Sequence, residues 1–146
     1  MAENTEFRHI VRIAQTDLEG RKQTAIALTK IKGVSHMLAN AICQKAGVER
    51  RATLGDISDA DIKKLQAVIE DLTGAGLPAW LMNRRRDFET GQDMHVIVND
   101  LIVTKDNDLK RQKKMRSYRG IRLAVGLPVR GQRTKSNFRR NKGKKR

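Results

Sequence analysis

The chain has 146 residues, with 31 Lys and Arg against 16 Asp and Glu, a formal charge of +15 and one cysteine. That length suits one domain with an appendage, and a lone Cys43 excludes an internal disulfide, which fits a reducing cytoplasm. No run of about 18 apolar residues exists for a membrane span, and the opening MAENTEFRHI has no apolar signal core, so the chain is expected to stay where it is made.

The first predicted element is a short strand or extended segment at Ile10, Val11 and Ile13, followed by a loop turning at Glu19-Gly20. KQTAIALTKIKG carries a helical pattern through Ala25, Ile26, Leu28 and Ile31, stopped by Lys32-Gly33. Ser35 then reads as an N-cap; Leu38, Ala39, Ile42 and Ala46 follow at helical spacing, and Gly47 is placed to end the helix. TLGDISDADIKKLQAVIEDLTGAG holds the clearest helix. Ser58 and Asp61 make a capping-box-like start, and Ile62, Leu65, Val68, Ile69 and Leu72 form its buried stripe, with Gly74 and Gly76 beyond. LPAWLMNRRR suits a short helix with Pro78 in its first turn and Trp80 and Leu81 as anchors. MHVIVNDLIVTKD reads as two short β-runs about Asn99-Asp100, a small hairpin. DNDLKRQKKMRSYRG reads as a helix with an acidic start and basic end, stopping near Gly120, with no periodicity after it. The expected architecture is mainly α, with one small β-hairpin, a helical body over residues 1–116 and an extended basic tail over residues 117–146.

Charge is unevenly placed. From Lys110 to Arg146 there are 16 basic residues and no acidic one, which leaves residues 1–109 with a net charge of −1. Such asymmetry points to an arm for a polyanion. A membrane surface would require an apolar helix face, and residues 130–146 offer only Phe138. Only five aromatics exist, too few for single-strand reading by stacked bases, so phosphate and shape recognition is the better expectation. Arg dominates the stretch from Arg116 to Arg140 and grips phosphate bidentately. Ile121, Leu123, Val125, Leu127 and Val129 alternate among the charges, with Gly120, Gly126 and Gly131 between them, more than a merely solvated tail needs.

Enzymatic and metal chemistry find little support. His9, His36 and His95 lie far apart and have one cysteine between them, so no metal-ligand spacing arises. Asp56, Asp59 and Asp61 could hold Mg²⁺ or act in acid–base work, but they surround a helix N-terminus, where negative charge is favoured anyway. TGAG lacks the Lys-Ser/Thr of a P-loop, so no cofactor is expected. IKGVSHMLANAI fits either a phosphate-binding helix–hairpin–helix or a plain packed hairpin, with Ser35 where the second glycine usually stands. NRRRDF, with Arg84, Arg85 and Arg86, is either a solvated helix end or a nucleic-acid contact.

SYRGIRLAVGLPVRGQRTKSN, residues 117–137, is similar to the tail signature of small-subunit ribosomal protein thirteen, the universal S13 type. RIAQTDLEGRKQTAIALTKIKGVSHMLANAIC, residues 12–43, is similar to that family's amino-terminal block, and residues 77–107 resemble its archaeal and eukaryotic branch. Leu123 departs from the family, which often has histidine there.

The resemblance implies a helix–two-turn–helix body in the head of the small ribosomal subunit, and no enzyme. It implies as partners small-subunit rRNA, neighbouring head proteins, P-site tRNA, and, at intersubunit bridges, large-subunit rRNA and large-subunit ribosomal protein five. The tail contacts it implies are Tyr118, Arg119, Gly120, Arg122, Gly126, Arg130, Gly131, Gln132, Arg133, Thr134 and Lys135. Lys113, Lys114, Arg116, Asn137, Arg139 and Arg140 join Arg84, Arg85 and Arg86 to complete the candidate RNA-binding set. The alternative from another class is a DNA-binding or repair protein of helix–two-turn–helix type. Those enzymes carry a catalytic N-terminal proline or a zinc finger, whereas this sequence starts Met-Ala-Glu and has one cysteine.

Overall fold

A computed structural model describes residues 7–134. The chain divides into two compact units, Met1–Val103 and Thr104–Arg146. The expected boundary between body and tail at 116/117 falls within the second.

The first unit opens with strands β1 (Ile10–Ile13) and β2 (Thr16–Glu19), paired antiparallel with Val11 opposite Leu18. The two-residue period buries Val11, Ile13 and Leu18 and leaves Ile10, Arg12, Asp17 and Glu19 outside. The connecting residues, Ala14 and Gln15, have φ of 46° and 60°. Both values are positive, as the tight hairpin turn requires, yet neither residue is glycine or asparagine. The expected strand-and-loop is therefore a hairpin whose turn chemistry was absent from the sequence. Ahead of β1 the chain runs between two glycines. Arg8 N–H donates to Gly55 O at 3.2 Å, and Gly20 N–H donates to His9 O at 2.8 Å. A Cβ on Gly20 would lie 1.8 Å from the Arg8 carbonyl oxygen, so the close approach demands glycine.

Helix α1 (Thr24–Leu28) is brief. Thr24 is fully buried, and its hydroxyl donates to Ala52 O at 2.8 Å, which satisfies it. Helix α2 (His36–Ala46) is bounded as expected: Ser35 Oγ accepts from Leu38 N–H, and Gly47 closes the helix at φ 68°. Two turns follow, one closed by Ala52 N–H on Glu49 O and one a 3₁₀ turn at Leu54–Asp56. Helix α3 (Asp59–Glu70) then packs on α2. Ser58 Oγ accepts from Asp61 N–H at 3.2 Å and donates to Asp61 Oδ2 at 2.9 Å, a shortened capping box. The expected stripe buries Ile62, Leu65, Ile69 and, past the helix end, Leu72, while Val68 is half-buried. The core joins these to Leu28, Ile31, Leu38, Ile42, Cys43 and Leu54.

Three expectations need correction. The 3₁₀ turn at Ala79–Leu81 leaves Trp80 65 % exposed; Leu81 is half-buried against the core as expected, and Leu77 and Met82 on either side are the buried anchors. The hairpin expected about Asn99-Asp100 is instead the first turn of helix α4 (Val98–Lys114). The β-branched residues there gave the strand signal, but the single small sheet among the described residues is β1–β2. The helix expected to stop near Gly120 ends at Lys114, and a new helix α5 (Tyr118–Val125) runs through Gly120.

His95 ties the α1–α2 turn to residues 83–98. Its Nδ1 accepts Asn83 N–H at 3.2 Å, which leaves the ring proton on Nε2 to donate to Gly33 O at 3.0 Å. Burial pushes the His95 pKa below the ordinary 6.5, overriding the Gly33 hydrogen bond. The folded state therefore binds fewer protons than the unfolded one below about pH 6.5, so this stabilisation is complete above that pH and lost on acidification. Urea stability should fall between about pH 7 and 5 more steeply in the wild type than in His95→Gln. Parallel profiles would remove His95 from this role.

Candidate nucleic-acid interface

The two structural units divide the charge much as the sequence segments do. Residues 1–103 hold 14 basic and 14 acidic side chains, so the second unit carries the entire net charge of +15. Positive surface begins on α4. Its early acidic residue Asp100 and its late Arg111, Lys113 and Lys114 complement the helix dipole. Arg111 pairs with Asp108 one turn back at 3.1 Å. Lys113 and Lys114 are exposed, as is Arg116, which breaks the helix at φ 51°. A left-handed arginine costs roughly 1–2 kcal/mol.

Ser117 restarts the chain as a helix by accepting Gly120 N–H on its hydroxyl at 3.2 Å. Gly120 is buried, and a Cβ there would meet the Gln112 carbonyl oxygen at 2.1 Å. This glycine lets α5 lie against the α4 backbone. Around the helix, at 100° per residue, Gly120 falls on one side while Tyr118, Ile121 and Val125 fall on the other. These three are 71 %, 55 % and 67 % exposed. Arg119 is exposed beside them, and the half-buried Arg122 donates from Nε to Pro128 O at 3.0 Å. Gly126 ends α5 at φ 73°, with Leu127 N–H on Arg122 O at 2.9 Å.

Beyond α5, Arg130, Gly131, Gln132, Arg133 and Thr134 are exposed. Gln132 Oε1 accepts Arg130 N–H at 3.0 Å, a local turn that sets the backbone between them. Lys135, Asn137, Arg139 and Arg140 lie outside the described residues.

The arginine cluster at Arg84, Arg85 and Arg86 belongs to the first unit and is not one uniform patch. Arg84 ion-pairs through Nε with Asp87, and its backbone exchanges two hydrogen bonds with Met94. Asp87 also accepts the Thr90 hydroxyl and the Glu89 and Thr90 amides. The Arg84 guanidinium is the main reason the Asp87 carboxyl falls to about 2. Arg84 thus builds a loop, while Arg85 and Arg86 are displayed on it.

The other candidate chemistry resolves into structure. Asp59 is bidentate to Arg8, with Nη2 to Oδ2 at 2.7 Å, and the guanidinium lowers its pKa. Asp61 accepts from Lys64 Nζ at 2.7 Å and from Ser58, and is lowered too. Cys43 is buried in the core, and burial pushes its thiol up, away from a reactive thiolate. The Lys32-Gly33 turn gives its carbonyls to Val98 N–H and His95, the behaviour of a packed hairpin. Among the described residues, no group of three or more His, Cys, Asp or Glu is placed to hold a metal, and no helix is long and apolar enough to cross a membrane. The stripe of Tyr118, Ile121 and Val125 escaped the sequence reading. Its signal was present: Ser117 and Gly126 stand nine residues apart as caps.

The family model for ribosomal protein S13/S18 matches residues 12–140. The small ribosomal subunit protein uS13 of Methanocaldococcus jannaschii is 44 % identical over 138 residues, covering 94 % of this chain and 92 % of that one. Those of Methanosphaera stadtmanae and Methanothrix thermoacetophila are 49 % and 51 % identical, covering 95 % and 93 % of this chain and 90 % and 85 % of theirs. These relatives are archaeal, in keeping with the branch that residues 77–107 resemble. With a mainly helical fold, a family match across most of its length and similarity over nearly all of it, the chain belongs to the ribosomal protein S13/S18 family, and is a structural ribosomal protein rather than an enzyme.

Proposed function

We propose that this protein is a head component of the small ribosomal subunit that binds small-subunit rRNA through its second unit. The observation that carries the reading is the confinement of all net positive charge to residues 104–146, on α4, α5 and the segment after them. Counterion release from phosphates makes such a surface a strong RNA ligand. Functionally, residues 1–116 are the body and residues 117–146 the arm. The arm reaches toward P-site tRNA, while the body meets neighbouring head proteins. At the intersubunit bridges it meets large-subunit rRNA and ribosomal protein five. Arg85 and Arg86, on the Asp87-centred loop, serve as a body contact, and Arg119, Arg122, Arg130 and Arg133 grip phosphate bidentately.

Co-sedimentation with small subunits after a high-salt wash tests this. The full chain should remain bound. Replacing Arg119, Arg122, Arg130 and Arg133 together by Lys keeps the charge but removes the planar fork, so incorporation should fall several-fold. Loss of the wild type in the wash would overturn the ribosomal placement. Full incorporation of the Lys variant would reduce the arm to bulk charge.

A further inference from the structure

Helix α5 presents an apolar stripe where a pure phosphate-binding arm needs none. Tyr118, Ile121 and Val125 are more than half exposed, and each stands on the side away from Gly120, the residue packed on Gln112. The stripe is about 10 Å long at 1.5 Å per residue. Arg119 and Arg122 run along one flank, in a unit with 17 basic and two acidic residues. An apolar protein partner would have to accept this positive field, whereas a polyanion with an apolar recess is favoured by it. Paired RNA has such a recess. Its minor groove is wide and shallow and is lined by riboses with their 2′-hydroxyls, while its major groove is too deep and narrow for side chains. Two aliphatic side chains on a convex helix suit ribose faces better than they suit stacking on a splayed base.

Resting on the RNA-binding reading above, we infer that α5 lies across the minor groove of an RNA duplex, with Tyr118, Ile121 and Val125 against riboses and Arg119 and Arg122 on the adjoining phosphates. Recognition here has two separable parts. The arginines supply a salt-dependent attraction. The stripe supplies a salt-independent one that favours A-form RNA over B-form DNA, whose narrow minor groove does not admit a helix.

Fluorescence anisotropy with the full chain separates them, using an RNA hairpin duplex, a DNA duplex of the same sequence and a single-stranded RNA at matched salt. Ile121→Ser with Val125→Ser leaves charge and the buried face untouched, and circular dichroism checks that the fold persists. The double variant should bind the RNA hairpin about tenfold more weakly with an unchanged salt slope. Its preference for RNA over DNA duplex should shrink. Unaltered RNA-hairpin affinity in that variant would overturn the inference, as would tighter wild-type binding to single-stranded RNA. Self-association that the variant abolishes would overturn it as well, by giving the stripe to a second copy. Should the wild type bind no RNA at all, the RNA-binding reading itself fails; steep salt-dependent binding that ignores the stripe removes only this inference.

Discussion

Leu65→Ala should lower the unfolding free energy by about 2–5 kcal/mol. Leu65 is fully buried at the middle of α3, between Ile62 and Ile69 on the face that packs on α2. Truncation removes buried methyl and methylene groups and leaves a cavity that regular helix packing cannot close. Domains of this size are stable by about 5–15 kcal/mol, so the loss is a large fraction of the total. Val68→Ala, one turn away at a half-buried site, should cost distinctly less. Urea titration reads both. A Leu65→Ala loss below about 1 kcal/mol would mean that α3 buries a different face.

Gly120→Val should disrupt the arm without changing its charge. The added Cβ would come within 2.1 Å of the Gln112 carbonyl oxygen, a backbone atom that cannot rotate away. Separation of α5 from α4 is the available relief, and α5 has only eight residues. A helix that short is marginal in water without packing. The expected results are a weaker helical signal, disappearance of the long-range amide proximity between residues 112 and 120, and at least tenfold weaker RNA binding by the folded remainder. Normal packing of α5 on α4 combined with weakened RNA binding would contradict this and make Gly120 a direct RNA contact. The two roles proposed for this glycine, from sequence and from packing, are thereby distinguishable.

What the sequence made legible were features carried by neighbours in the chain. Ser35 with Gly47, Ser58 with Asp61, and the stripe from Ile62 to Leu72 all depend on spacings of three to twelve residues, and all stand as expected apart from the half-buried Val68. The features that escaped depend on distant partners or on unusual turn residues. Ala14-Gln15 makes a tight turn without the glycine or asparagine that would have announced it. Val96, Ile97, Val98, Ile102 and Val103 have strand-forming side chains, yet Val98 N–H is held by Lys32 O and the chain continues as α4. The alternation of Ile121, Leu123 and Val125 fits period two, but Ile121 and Val125 with Tyr118 fit a helix face equally, and the Ser117 cap decides. Of the proposed contacts, Gly120 and the backbone of Arg84 have internal roles invisible in sequence, because Gln112 and Met94 lie eight or more residues away, whereas the Arg84 ion pair with Asp87 spans only three residues. The basic, exposed character of Lys113, Lys114, Arg116 and Arg119 was legible from charge alone.

The salt dependence of rRNA binding, measured for the full chain and for a chain ending at Arg116, tests most directly whether the arm holds RNA. Both proteins keep the balanced body and the basic end of α4, so folding and residual affinity can be checked in each. If residues 117–146 grip phosphates, log K against log salt should flatten on truncation by about 0.7–0.9 for each phosphate no longer neutralised. With Arg119, Arg122, Arg130 and Arg133 among the neutralising side chains, the slope should change by roughly 3 or more. An unchanged slope after truncation would contradict the arm as the RNA-binding element.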